Sequence, residues 1–481
     1  MVQHIVRKSS RAYPRLSRTT ITLLFTGGLC LCLLVLGYAA AQWSPLVAMA
    51  IGVAPLVLFV SLRLIQTEGL GPIAILAAAA FVPFTLPTGT ESRIAISMVV
   101  AGAVVVVWLL KMLVIEKHLH LKATSMNRPL LGFMIVATIS LVWGMAFRDP
   151  LVMVWFTFPL VQVASLAVMV LLLAAFLLIG NTIEDSHWLK VMVGLVLFAG
   201  FLGLVREFSR VNIPVNVEGI FPMWAAVIAY TLALFSRKLR LWQRGLLLLF
   251  TGGWIWYGYI LRVNWLASWL PTFVALGVAS VLRSKWFIPI ILIAAVVIGV
   301  RYVEVNLAGE VTESGQTRLA AWAMNWEVTG KHLLFGMGPA GYAAYYMSYF
   351  PTRAMATHSN YIDVLAQVGI VGLSFYLWFF GALLWSGYKL SRRLRGRGDF
   401  VESLANAALA GAVGCVVAMG IGDWMLPFAY TQTIAGFNHA VYSWLLLGAI
   451  PALDNITRDN EHQQVASGDF ELADLQNMGR T

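Results

Sequence analysis

Apolar runs of about twenty residues, long enough for a membrane-spanning helix, recur along almost the whole chain and restrict its fold more than any other feature. Charged residues make up only 11% of the sequence, whereas soluble domains carry about 25%. The sequence therefore predicts an all-α fold, namely a polytopic transmembrane helical bundle.

The apolar runs predict about fourteen spans. Three gaps between runs are short, so the count is defined only to within two. The first run ends in Tyr-Ala-Ala-Ala-Gln, as a signal peptide does, but it exceeds the roughly 7–15 apolar residues of such a segment, which favours an uncleaved span. The predicted spans lie at about 20–42, 45–64, 70–87, 94–115, 129–147, 157–180, 188–205, 220–236, 241–260, 263–282, 285–301, 369–389, 403–422 and 434–452.

Basic residues predict the orientation, because Lys and Arg are enriched in the cytoplasmic loops of membrane proteins. With a cytoplasmic N-terminus, 24 of the 33 Lys and Arg residues fall inside and nine outside. Both termini are then cytoplasmic, and the long polar interval 301–369 faces outward.

Eight of the nine outward bases are arginines, whose planar guanidinium binds phosphate oxygens through two hydrogen bonds. Each arginine alone is equally well explained as an interfacial residue that reaches a lipid headgroup. As a set they favour an anionic ligand at the outer face. The nine residues are Arg93, Arg148, Arg206, Arg210, Arg262, Arg301, Arg318, Arg353 and Lys331.

The domain organisation follows from these spans. We predict a basic cytoplasmic N-terminus at 1–19, spans one to eleven at 20–301 and a large extracytoplasmic catalytic loop with short helices at 302–368. Spans twelve to fourteen follow at 369–452, and a polar, disordered cytoplasmic tail at 453–481. The three cysteines, Cys30, Cys32 and Cys415, lie in apolar runs and are predicted to pack there. No basic stripe with interleaved aromatics indicates a nucleic-acid partner.

Two stretches of the large loop suggest chemistry. Arg318, Trp322 and Trp326 share one helical face, which is typical of an interfacial helix with tryptophans at headgroup level. Arg318 then contacts either a lipid phosphate or the phosphate of a lipid-linked substrate. His358 precedes a predicted helix that begins near 359, and the positive end of the helix dipole favours a neutral imidazole. Such a ring suits a general base, while a helix cap is the alternative.

Other motifs do not indicate a cofactor or a metal. Gly336-Met-Gly338-Pro-Ala-Gly341 has the letters of a dinucleotide fingerprint without its βαβ context, so we predict a tight turn or a close backbone approach. No outward loop carries the clustered carboxylates and histidines of a divalent metal site, and no Gly-x-Ser-x-Gly element occurs. His439 is predicted to be structural.

Together, Arg318…Trp322, Gly336-Met-Gly338…Tyr342 and His358-Ser-Asn-Tyr361…Leu365…Gly369-Ile-Val-Gly372-Leu resemble the O-antigen ligase and polysaccharide polymerase superfamily over residues 317–373. The resemblance implies a GT-C-like, multi-pass protein of the bacterial inner membrane. It also implies a metal-independent, inverting glycosyltransferase that works without a cofactor. Its implied partners are a polyprenyl-pyrophosphate-linked glycan donor, a glycan or lipid acceptor, the bilayer and other polysaccharide-assembly proteins.

The same resemblance assigns residues. Arg318 and His358 correspond to the family's catalytic arginine and histidine. Arg262 corresponds to an arginine at the outer end of a mid-chain span, although leucine replaces the serine that usually precedes it. Arg206 or Arg210 supplies an upstream arginine for the donor pyrophosphate. Asp363 or Glu327 is a candidate for orienting His358.

Other functions stay open at this stage. A flippase for lipid-linked saccharides is the main alternative, but a transporter needs ionisable groups deep within its spans. A non-catalytic assembly role is a third reading. Polymerase and ligase are not distinguished by these motifs, and neither the sugar nor the acceptor is identified.

Overall fold

The computed structural model describes residues 66–67, 69–88, 92–263, 265–306, 316–351 and 356–461. All but the first two of these residues belong to one compact unit, Glu68–Thr481. The predicted N-terminus, the first two predicted spans and residues 462–481 of the predicted tail lie outside the described residues.

Helices dominate the described part, with one hairpin of two short antiparallel strands, β1 (Thr85–Pro87) and β2 (Arg93–Ala95). The helices are α1 Leu70–Phe81, α2 Ile96–Leu110, α3 Asn127–Ala146, α4 Phe158–Thr182, α5 Ser186–Ser209, α6 Phe221–Phe235, α7 Leu241–Ile255, α8 Leu266–Arg283, α9 Phe287–Asn306, α10 Gln316–Thr329, α11 Tyr342–Tyr349, α12 Asn360–Arg393, α13 Phe400–Ile421, α14 Phe437–Leu447 and α15 449–461. π-Helical turns extend α2 through Lys111–Glu116 and α7 through Trp256–Leu261.

Seven of the described helices are long and apolar enough to cross a membrane. The shorter helices α1 and α6 and the Phe287–Val300 part of α9 are also apolar. The predicted all-helical, multi-pass class is therefore confirmed. The count of about fourteen spans, the orientation and the GT-C-like architecture stay predictions.

The predicted span 70–87 is too long, because its helix ends at Phe81. Pro83 lacks a backbone N–H, and proline disfavours helical geometry in the residue before it. The chain instead enters the hairpin, in which Thr85 pairs with Ala95.

At one end of the bundle, here called the basic end, the helix connections and the helix turns next to them carry most of the described Lys and Arg residues. It comprises the connections 111–126, 183–185, 236–240, 284–286 and 394–399. Lys122 Nζ contacts the Glu184 carboxylate at 2.9 Å, and the Arg237 N–H donates to the Gly398 carbonyl at 2.8 Å. These contacts hold neighbouring connections together.

The opposite end, here called the loop end, comprises the described residues of the connections 147–157, 210–220, 262–265, 330–359 and 422–436. The backbone N–H of Asp149 donates to the Tyr345 hydroxyl at 3.2 Å. The rings of Trp265 and Trp424 meet edge to face at 5.6 Å. Segments that are distant in sequence therefore assemble at this end.

The glycine motif of the large loop forms the predicted tight turn, packed against a break in α12. The Met337 N–H donates to the Ala366 carbonyl at 2.9 Å, and the Ile370 N–H donates to the Leu333 carbonyl at 2.8 Å. Gly369 has φ 70°, and a Cβ there would lie 2.2 Å from the Leu334 carbonyl oxygen. Only glycine fits this contact. Within the motif itself, Gly336 and Gly338 have φ values of 69° and 86°, so the prediction of a tight turn is confirmed.

The helices at the end of the described chain differ from the prediction, which placed one span at 434–452 and a tail from 453. α14 ends at Leu447, and α15 continues from 449 to residue 461. Asp454 explains part of this extension, because its carboxylate pairs with Arg393 and with Arg458, each at 3.0 Å.

Candidate functional site

His358 stands directly before the N-cap of α12, with its backbone in the left-handed region. Its φ is 48°, a conformation that few residues other than glycine adopt. Ser359 follows as the extended N-cap, and the His358 side chain is exposed. Its ring nitrogens form no hydrogen bond or ion pair with a described residue. The imidazole is thus presented at the surface of the loop end.

Two contacts of Thr357 fix the backbone that leads into His358. The Thr357 carbonyl oxygen accepts a hydrogen bond from Trp322 Nε1 at 2.8 Å, and its hydroxyl donates to the Asp363 carboxylate. Thr357 is fully buried, and hydrogen bonds are electrostatically stronger in such a low-dielectric setting. The position of His358 therefore depends on both α10 and α12.

The Asp363 carboxylate is buried beneath this segment and does not contact His358. It accepts hydrogen bonds from the Tyr342 hydroxyl at 2.6 Å and from Thr357. Burial, and next the Asp363 charge, raises the pKa of Tyr342 well above its usual value, so Tyr342 stays protonated and donates. Asp363 therefore makes no direct contact that would orient His358 as predicted. It is linked to His358 through its hydrogen bond with Thr357.

Asn360 joins the start of α12 to the connection after α13. Its Oδ1 accepts from the backbone N–H groups of Met425 at 2.9 Å and Leu426 at 3.3 Å. Its Nδ2 donates to the Leu426 carbonyl at 2.7 Å. We assigned no role to Asn360 from the sequence, because asparagine is an ordinary residue at helix starts.

α10 brings Arg318 into the same neighbourhood. Arg318 precedes Trp322 by four residues, so its Cα lies one turn, about 6 Å, from that of Trp322 along the helix. The indole of Trp322, expected at headgroup level, is half-buried and bonds Thr357. The segments of the two catalytic candidates are therefore joined by one hydrogen bond.

Arg206 and Arg262 both lie near Tyr257, which follows the end of α7. The Arg262 guanidinium lies 5.7 Å from the centre of the Tyr257 ring, and Arg206 is within electrostatic reach of the same residue. Arg206 pairs with Glu207 at 2.8 Å and donates to the Val215 carbonyl at 2.6 Å. The charge of Arg206 is therefore already balanced.

Arg210 and Arg262 are exposed and form no ion pair within the part of the chain that the structure describes. Arg210 ends α5 with φ 58°, and its N–H donates to the Arg206 carbonyl at 3.0 Å. Of the two upstream candidates for the donor pyrophosphate, Arg210 is the one whose guanidinium is available.

Two tryptophans connect the Arg262 segment to the His358 segment. The Trp265 N–H donates to the Arg262 carbonyl at 2.9 Å, and the Trp265 ring contacts Trp424. Gly422, two residues before Trp424, accepts a hydrogen bond from the Asn360 N–H at 3.3 Å. We did not anticipate these links, because each joins segments that the sequence keeps far apart.

Glu327 lies in a different place from His358. It lines a cavity of about 170 Å³ together with Asp149, Lys331 and His332. Five residues separate it from Trp322, which is about 140° around the helix. The prediction that Glu327 orients His358 therefore has no contact to support it.

An open apolar groove of about 720 Å³ runs between α5 and α7. Phe208, two residues before Arg210, lies at one end of its lining, and Trp256 directly precedes Tyr257. The groove therefore extends to the chain segments that carry Arg210 and Tyr257. Its lining includes Phe201, Leu204, Phe208, Phe250, Gly252 and Trp256.

The described residues contain no group of three or more His, Cys, Asp and Glu side chains that could hold a metal ion. Metal independence of the reaction stays a prediction.

These features define the class: a polytopic helical membrane protein whose loop end combines an exposed histidine, arginines and the end of an apolar groove. Residues 261–377 match the family model described as O-antigen ligase. This segment contains Arg262, Arg318 and His358, but neither Arg206 nor Arg210. The resemblance predicted from the motifs is confirmed. No curated protein matches the chain.

Proposed function

We propose that the protein is a membrane glycan polymerase or ligase. It transfers an oligosaccharide or polysaccharide from a polyprenyl-pyrophosphate donor to a glycan or lipid acceptor at the outer face of the bacterial inner membrane. Its product belongs to a cell-surface polysaccharide such as O-antigen or exopolysaccharide. The match to the O-antigen ligase family supports this type of glycosyl transfer.

In the proposed reaction, an acceptor hydroxyl oxygen attacks the anomeric carbon of the donor sugar. The bond from that carbon to the pyrophosphate oxygen breaks, and its electron pair stays on the leaving pyrophosphate. His358 accepts the hydroxyl proton, while Arg318, Arg262 and Arg210 stabilise the charge on the leaving group. The attack comes from the side opposite the leaving group, so the anomeric configuration inverts.

The observation that carries the proposal is the hydrogen bond from Trp322 to Thr357. It joins the helix of Arg318 to the residue before His358, although 35 positions separate the two partners. A cation for the leaving group and a base for the acceptor are needed together in glycosyl transfer, and the bond holds their segments side by side.

The groove between α5 and α7 supports a lipid-linked donor in particular. Its apolar lining suits a hydrocarbon chain and includes Phe208, two residues before the exposed Arg210, and Trp256, six residues before the exposed Arg262. A polyprenyl chain in the groove would place its pyrophosphate near these charges. Arginine binds phosphate oxygens in this manner.

A strain deleted for this protein tests the proposal. Wild-type protein restores the surface glycan, whereas Arg318→Ala and His358→Ala do not, at equal protein levels in the membrane. The lipid-linked glycan then accumulates on the outer leaflet. Full restoration by both variants overturns the proposed chemistry.

The same strain distinguishes a flippase, because a transport defect leaves the lipid-linked glycan on the inner leaflet. The structure gives a reason to favour transfer. The buried acids among the described residues, Asp363, Glu402 and Asp423, lie close to helix ends, whereas a transport pathway needs ionisable groups midway through its spans.

A further inference from the structure

The cavity beside Glu327 has no part in the reaction described above. It lies between the end of α10, the helix α11 and the 147–157 connection, and it belongs to the loop end. The residues used below are Asp149, Glu327, Lys331, His332, Tyr345 and Tyr349.

One side of the cavity is held in place by hydrogen bonds. The Tyr349 hydroxyl donates to Asp149 Oδ2 at 2.5 Å, and the Asp149 N–H donates to the Tyr345 hydroxyl oxygen at 3.2 Å. The bond from Tyr349 is the main cause that lowers the pKa of Asp149, so this carboxylate is ionised at neutral pH. Two tyrosine rings and one carboxylate are therefore preorganised.

The other side offers free polar groups. Glu327 and Lys331 stand four residues apart on successive turns, a spacing that favours ion pairs, yet no ion pair to a described residue forms at either one. Lys331 Nζ instead lies 5.7 Å from the centre of the Tyr349 ring. Burial lowers the pKa of His332, against an opposing effect of Asp149, so its neutral ring both donates and accepts.

Charge and size restrict the ligand. Among the residues that line the cavity, Asp149 and Glu327 carry two negative charges and Lys331 carries one positive charge, which disfavours a phosphate or a carboxylate. A hydroxyl-rich, uncharged ligand can donate to the carboxylates and lay its C–H face on a tyrosine ring. The volume, about 170 Å³, is below the roughly 300–1,000 Å³ of pockets for drug-sized ligands, and suits one sugar ring.

The location of the cavity favours the acceptor over the donor as its ligand. The donor is proposed to use the groove and the arginines of α5 and α7, and none of the residues that line this cavity belongs to those elements. α10 contacts the His358 segment through Trp322 and lines the cavity through Glu327 about 140° around the helix. A glycan that lies across α10 can reach both places.

We infer that this cavity is a subsite for one sugar residue of the acceptor glycan, at a distance from the newly formed bond. That the sugar belongs to the acceptor rests on the proposed function, whereas sugar binding by the cavity does not. Glu327, Lys331 and the two tyrosines are positioning residues, because they do not touch the reacting atoms.

Direct binding tests the subsite without the reaction. The full-length protein in lipid nanodiscs is mixed with the oligosaccharide repeat that mild acid releases from the host's own lipid-linked glycan. Saturation-transfer NMR then reports binding. Glu327→Trp fills the cavity, and Ala323→Trp is the matched control, because Ala323 is exposed one turn earlier on α10 and does not line the cavity.

Saturation transfer is expected for the wild-type protein, for Ala323→Trp and for His358→Ala, and it is lost in Glu327→Trp. Equal transfer to Glu327→Trp and wild type overturns the subsite, and so does the absence of transfer to the wild type. If the wild type binds through the cavity but transfers no glycan, the proposed function fails while the sugar subsite stands.

Kinetics test the assignment to the acceptor. Glu327→Gln removes one charged hydrogen-bond partner and is expected to raise the acceptor KM about tenfold. The donor KM and kcat stay within about twofold of wild type, a shift worth only a few tenths of a kcal/mol. A purely structural role would change all three constants together, and an increase confined to the donor KM overturns the assignment.

Discussion

The two ends of the bundle differ in which of their charged side chains are paired. At the basic end several charges pair with one another, as Lys122 does with Glu184 at 2.9 Å. At the loop end the exposed guanidinium groups of Arg210 and Arg262 have no acidic partner among the described residues. Exposed ion pairs contribute only about 0–1 kcal/mol to stability. The pairs at the basic end therefore chiefly hold neighbouring connections in place.

The difference indicates where ligands bind. Arg210 and Arg262 form no ion pair with a described residue, so their charges are available to an anion. The buried carboxylate of the loop end, Asp363, is satisfied by hydroxyl groups instead of arginines. This separation leaves positive charge at the loop end available for a pyrophosphate while the segment before His358 stays rigid.

The largest expected contrast between the two ends is their accessibility in cells. Leu151 at the loop end is 75% exposed, and Arg397 is an exposed residue of the basic end. A membrane-impermeant maleimide should label Leu151→Cys in intact spheroplasts and Arg397→Cys only after permeabilisation. The parental protein, whose Cys415 is buried, gives the background. The reverse pattern would contradict an outward loop end.

Removal of one arginine from each end should show that the transfer rate depends on the arginine of the loop end and not on that of the basic end. Arg262→Ala is expected to lower the transfer rate by about 10- to 100-fold, the range for loss of a hydrogen bond to a charged group. Arg262→Lys should give an intermediate rate, because lysine keeps the charge without the planar fork. Arg397→Ala at the basic end should leave the rate unchanged, and equal losses at both positions would remove the distinction.

The groove offers a steric test with a matched control. A Cβ at Gly252 meets no protein atom within 4 Å, and the same holds at Gly245 on the same helix. Of these two glycines only Gly252 lines the groove, so Gly252→Leu should raise the donor KM about fivefold, equivalent to about 1 kcal/mol. Gly245→Leu should not change it. Equal donor KM values for the two variants would show that no lipid chain uses the groove.

The hydrogen bond between α10 and the His358 segment should have an effect as small as that of the groove substitution. Trp322→Phe keeps an aromatic ring but loses the bond to Thr357, worth about 1 kcal/mol, and should lower kcat about fivefold. Trp326 lies on the same helix and is 59% exposed, so Trp326→Phe serves as the control. If the two substitutions lower kcat to the same extent, the bond does not position His358.

The positions of most helices can be predicted from the sequence because long apolar runs are local signals. The predicted spans 157–180 and 285–301 are observed as Phe158–Thr182 and Phe287–Asn306. The predicted span 70–87 is too long because the apolar character of the run does not reveal the effect of Pro83, whose missing backbone N–H ends the helix. Residues 360–368 form the predicted helix ahead of the next span, and the break at Gly369 depends on its contact with Leu334.

The site is less predictable, because its contacts connect distant parts of the chain. Trp322 and Thr357 are 35 residues apart, and Asn360 and Met425 are 65 apart. Motif order indicates Arg318 and His358 as candidates but contains no information about these partners. Glu327 illustrates the limit, since its position near Arg318 in sequence suggests a shared site while helical geometry places it in another cavity.

The central claim, that the loop end carries out glycosyl transfer with His358 as the base, is tested most directly with purified protein in liposomes. Wild type and His358→Ala are compared in single-turnover transfer from a polyprenyl-pyrophosphate-linked glycan to the acceptor. Loss of a general base predicts a rate about 10²- to 10⁴-fold lower, with unchanged binding of the acceptor oligosaccharide. A His358→Ala rate within a few-fold of wild type would contradict the account.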